Sequence, residues 1–84
     1  MVETPMKPGD LVQVWGDTVP MYPVGVPLES STHIGYARNG STGILMASDL
    51  IDRGGNLTIT FHLILLPGFG PVWIRGAWVH EVKS

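Results

Sequence analysis

Three histidines, two closely spaced aspartates and four serines are the side chains of this sequence best suited to chemistry. His33, His62 and His80 could meet as a three-histidine metal site, but none stands at a local ligand spacing and no carboxylate joins one in a ligating motif. They are therefore read as non-ligating, with His62 on the solvent or subunit face of a strand and His80 a polar neighbour of Glu81. Asp49 and Asp52 imitate a catalytic carboxylate pair, yet they flank a tight turn, where aspartate accepts backbone hydrogen bonds. Ser30, Ser31, Ser41 and Ser48 all lack the G-x-S-x-G context that exposes a nucleophile. "GFGPVW" begins like a dinucleotide fingerprint, but Pro71 follows the second glycine and no helix pattern opens behind it. The expectation is a protein that is not an enzyme and carries neither cofactor nor metal.

Binding is better served by the remaining residues. Trp73 and Arg75 fall on one face of an extended "VWIR", and Trp78 follows closely, so the guanidinium can lie over an indole. Two readings stand side by side: a protein-contact hot spot, for which Trp and Arg are the favoured side chains, and a closing aromatic strand with a snorkelling arginine. "PMYP", with Pro20, Tyr22 and Pro23, matches P-x-x-P and is either a polyproline turn offered to a partner or a stiffened loop. The sequons at Asn39 and Asn56 are read as turn asparagines, because no amino-terminal signal pattern accompanies them.

These side chains need a scaffold, and 84 residues make a single domain. A domain of this size hides only roughly 60% of its unfolded surface. With no cysteine, burial alone must hold it together, within the chain or across subunits. Charged residues are 14% of the chain, against about 25% in typical soluble domains, and 44% are hydrophobic. So little polar surface favours apolar area covered by other chains, as a homo-oligomer or in a larger assembly. A net charge of −2 with scattered Lys and Arg argues against nucleic acid. No apolar stretch nears the roughly 20 residues that span a bilayer, and the chain reads as soluble and made in a reducing cytoplasm.

The pattern of elements is all-β. Residues 1–6 carry no periodicity and read as a flexible tail. "KPGD" supplies a turn before the strand "LVQVW" at 11–15. Residues 16–41 hold Pro20, Pro23 and Pro27 and read as an extended loop or arm, in which 24–28 or 33–37 could pair as short edge strands. "TGILMASDLI", the turn "DRGGN" and "LTITFHLILL" form a hairpin. In its second strand Leu57, Ile59, Phe61, Leu63 and Leu65 share one face, and Thr58, Thr60, His62, Ile64 and Leu66 share the other, which the threonines mark as outward. From Ile64 onward both faces are apolar, so that end is expected to be covered on both sides, by residues 16–41 or by a neighbouring subunit. "VWIRG" and "AWVHEV" follow, with a bend at Gly76. The count is about five principal strands, from 7–15 and 42–82, closing as a small barrel.

"KPGDLVQV", "TGILM", the hairpin into "LTITFHLILL" and the closing "VWIRGAWVHEV" together resemble the small SH3-like barrels among structural proteins of tailed bacteriophages. The likeness covers residues 7–14 and 42–82. It implies a virion component, such as a capsid cement protein or a tail or neck accessory, that binds other virion subunits. Trp73, Arg75, Trp78, Pro20, Tyr22 and Pro23 would then be partner-binding residues. The alternative is a monomeric SH3-like adaptor that recognises a peptide or another ligand.

Overall fold

Turn chemistry starts the first strand. The Asp10 carboxylate accepts the Lys7 N–H at 2.9 Å, the Asp10 N–H returns to the Lys7 carbonyl, and Gly9 takes a φ of +96° between them. The computed structural model describes residues 6–28, 32–52, 54–55 and 57–82. Its strands are β1 (Leu11–Val14), β2 (Val19–Met21), β3 (Gly35–Ala37), β4 (Thr42–Asp52), β5 (Thr58–Leu66), β6 (Gly70–Arg75) and β7 (Val79–Glu81). A 3-10 turn, Gly76–Trp78, stands between β6 and β7, and no α-helix occurs among the described residues. The fold is all-β.

Five strands form one antiparallel sheet in the order β6-β5-β4-β1-β7, and β2 and β3 form a second sheet of two. The β4–β5 hairpin is the longest pairing, from Ile44↔Leu65 to Asp52↔Thr58, with a bulge between Leu45 and Ala47. Its turn uses glycine as expected: Gly54 and Gly55 have φ of +86° and +59°, and the Asp52 carboxylate accepts the Gly54 N–H at 2.8 Å. The expected tail at residues 1–5, Ser30, Ser31 and Asn56 lie outside the described residues. Met6, assigned to that tail, packs against the main core instead.

Residues 16–41 do not run as a continuous arm. Val19–Met21 pairs with Gly35–Ala37, while 24–28 joins no strand. Pro20 fits in β2 because Val19 and Met21 take the side facing β3, which leaves the proline nitrogen turned away from that ladder. The small sheet sends Val19, Met21 and Ala37 into the main core and is tied to the large sheet where Tyr22 and Trp73 exchange two backbone hydrogen bonds of 2.9 Å. Val12 and Val14 of β1, Leu45, Ile64, Leu66, Val72 and Ile74 complete that core with Val79.

The face expected to point outward on β5 is therefore the buried one over its second half: His62, Ile64 and Leu66 turn inward, and Leu65 is 45% exposed. Two apolar faces compete there, and the one covered by β2 and β7 wins. Phe61 is buried on the opposite face, in a smaller cluster with Leu28 and Ile51. Ala77 and Trp78, expected in the last strand, form the 3-10 turn, so β7 begins at Val79.

Candidate functional site

The partner-contact residues nominated by the sequence separate into two groups. Trp73 lies in β6 opposite Leu63, half-buried against the smaller cluster with Tyr22 and Ile59. Tyr22 meets Phe61 edge to face, with centroids 5.7 Å apart, so Tyr22 and Trp73 help cover Phe61. Pro20 and Pro23 flank this joint, Pro20 opposite Tyr36 in the small sheet. Arg75 is exposed at the last position of β6, opposite Phe61. It lies over neither tryptophan among the described residues, since Trp73 is committed to the Tyr22 cluster and Trp78 to the turn beyond.

Trp78 belongs to another surface. A β-carbon at Gly16 would sit 2.9 Å from its ring and 2.7 Å from Val19, so the glycine, at φ +148°, lets indole and chain meet. The Trp15 N–H donates to the Trp78 carbonyl, and the Trp15 ring stacks on His80 at 4.0 Å while its own N–H donates to Gln13. Trp15 and Trp78 remain 52% and 38% exposed, an aromatic surface that only register could have revealed, since Gln13 lies opposite His80.

The histidines have three different neighbours: His33 leans on Tyr36, His80 on Trp15, and His62 faces Ser48 across the β4–β5 ladder. No group of three or more His, Asp or Glu side chains among the described residues could hold a metal ion. Asp49 accepts the N–H of Leu50, so it and Asp52 both serve their own backbone. His62 corrects its expected solvent position, because its strand face is the one covered by the core. Its Nδ1 is 2.7 Å from the Ser48 hydroxyl, and burial lowers its pKa below the ordinary 6.5. The neutral ring is thus favoured, with Nε2 beneath Gly76, where a β-carbon would approach it to 3.2 Å. The alternation in "TFHLI" carried no sign of this pair because either face could have been the core.

The outer surface of the large sheet holds a feature that composition alone foreshadowed. Leu11, Ile44, Leu65 and Pro71 stand directly opposite one another across β1, β4, β5 and β6. Leu11, Ile44 and Leu65 are 40–45% exposed. They border a shallow hollow of about 500 Å³ whose other walls include Thr42, Pro67 and Gly70, with no charged lining residue. This row can exclude water against another apolar surface, but it offers no group that could polarise or transfer anything. No protein-family model, curated protein or solved structure matches the chain.

Proposed function

We propose that this chain is a structural protein of a tailed-bacteriophage particle, a capsid cement protein or a tail or neck accessory that binds neighbouring subunits and performs no chemistry. The fold would be an SH3-like barrel. That reading is supported by the order β6-β5-β4-β1-β7, by the hairpin inserted between β1 and β4, and by the 3-10 turn before β7. The Leu11–Ile44–Leu65–Pro71 row carries the assembly reading: an uncharged band across four strands is what a subunit interface requires and what a lone protein in water avoids. Its partners would be other virion subunits and copies of itself, and its location the virion, after synthesis in the host cytoplasm. Arg75 and Trp73, which follow Pro71 at alternate positions of β6, would border the contact, while Trp78 would serve a separate surface, and β2 and β3 are held as a small sheet against the large one.

Light scattering of the purified chain tests this. Self-association, or capture of a hydrophobic dye by a monomer, is expected, and Ile44→Asp should abolish either behaviour. A parent chain that stays monomeric at high concentration and binds no dye would count against it. The second reading, a monomeric adaptor, is favoured by the exposed Trp15–His80 stack beside Trp78, an aromatic ledge suited to a peptide. It requires ligand-dependent quenching of tryptophan fluorescence in a chain that remains monomeric.

A further inference from the structure

β5 outruns its neighbour on one side. Its last partner on β6 is Arg75, opposite Phe61, and the chain then turns away at Gly76, while β5 runs on through Thr60 and Ile59 to Thr58. Those three residues are paired to β4 through Leu50, Ile51 and Asp52, and on the other side Gly76 of the 3-10 turn reaches Thr60, so the edge that β6 has left is open at Thr58. A hollow of about 410 Å³ lies there, bordered by Thr58, Ile59, Thr60, His62, Arg75 and Gly76.

Backbone direction decides which groups it offers. A β-carbon at Gly43, on β4, would meet the Leu65 carbonyl at 2.5 Å, whereas one at Gly76 would meet the Thr60 carbonyl at 3.1 Å. Odd-numbered residues of β5 therefore direct their backbone groups to β4, and even-numbered ones to the β6 side. Pro71 agrees, since it stands opposite Leu65, where a missing N–H removes no bond to β5. The backbone groups of Thr58 thus turn to the open side, with Thr60 beside Gly76 at the inner end. An exposed edge of this kind accepts an added strand. Arg75 is the only lining residue that carries a full charge near neutral pH, and no described residue forms an ion pair with it.

We propose that an extended, carboxylate-bearing segment of a partner chain adds to β5 at Thr58, just beyond Gly76 and antiparallel to the strand, with its carboxylate on Arg75. This rests on the reading of the chain as a binding protein, and it names the kind of segment bound. The neutral His62 ring and the threonine hydroxyls supply polar contacts on one side of the added strand, and Ile59 an apolar contact on the other.

The test is an NMR titration of the full chain with a blocked synthetic hexapeptide of alternating valine and glutamate. Saturable shifts are expected at the Thr58 and Thr60 amides and the His62 ring. N-methylation of alternate peptide nitrogens should abolish binding in one phase of the alternation and leave it in the other. Glutamine in place of glutamate, or Arg75→Ala with the original peptide, should weaken binding about two- to fivefold, the range of an exposed ion pair. Equal binding by both methylated peptides, shifts centred on Leu11, Ile44 and Leu65, or silence at millimolar peptide would overturn strand addition. Indifference to both charge changes would overturn the acidic partner. A silent titration beside intact self-association would remove the edge site alone and leave the assembly reading standing.

Discussion

The two ends of the β4–β5 hairpin bury opposite faces of the same strands. Near Ile64 the buried side chains belong to the main core, and Ile44 and Leu65, on the far face, stand in water. Near the turn the far face is the buried one, where Ile51 and Phe61 pack under Leu28 and Tyr22. Period-two alternation is the same at both ends. Coverage differs: β2 and β7 lie over one end, and Tyr22 and Leu28 over the other. Burial in so small a protein is thus allotted by which segment lies on top, and the bulge at Leu45–Ala47 separates the two regimes on β4.

The strongest way to break this comparison is to truncate the same side chain at each end. Ile64→Ala, at a position with 0% exposure amid the main core, should destabilise by about 2–5 kcal/mol in urea unfolding. Ile51→Ala should cost less, by at least about 1 kcal/mol, because Leu28 and Tyr22 can settle into the space. Equal losses would mean that the clusters act as one core.

A smaller effect sits at the junction. Ser48→Ala removes the partner of His62 Nδ1 and should cost about 1 kcal/mol. The pH dependence has a fixed sign. Burial lowers the folded pKa of His62, so the unfolded chain binds the proton more readily; stability falls as pH drops through 6.5 toward the folded value and is flat above. His62→Gln should remove that slope in thermal melts between pH 5 and pH 8, values chosen to bracket roughly the histidine range. A slope that survives the substitution would assign it to another group.

The smallest stability effect belongs to the outer face. Leu65→Lys should change unfolding free energy by no more than about 0.5 kcal/mol, although its neighbour Ile64 is critical. Self-association should fall sharply at the same time. A large loss of stability would show that Leu65 is covered within the monomer.

Much of the fold was legible in the sequence because local chemistry wrote it. Glycines and aspartate placed the hairpin turn at 52–56, and alternating Thr and Ile marked β5. The small sheet was less legible: three-residue strands around Pro20 have no periodicity of their own and exist through the core contacts of Val19, Met21 and Ala37. The choice of face on β5 was hidden for a related reason, since "LILL" is apolar on both sides and coverage comes from residues distant in sequence. At the candidate site, Tyr22 and Trp73 were nominated on separate grounds, and their backbone bridge depends on the turn of the chain after β2. Ser48 and His62 gave no signal at all, being joined only by a register that the bulge shifts.

The bridge between Tyr22 and Trp73 sets a rhythm for the molecule. Only those two mutual hydrogen bonds stitch the small sheet to the edge of the large one among the described residues. Amide hydrogens at Tyr22 and Trp73 should therefore exchange with solvent together, and sooner than those of Ile64 or Val72, as one cooperative opening below the energy of global unfolding. In that transient state Tyr22 would lift from Phe61 while Val19, Met21 and Ala37 stay in the main core, and residues 24–28 would become more open to a protease.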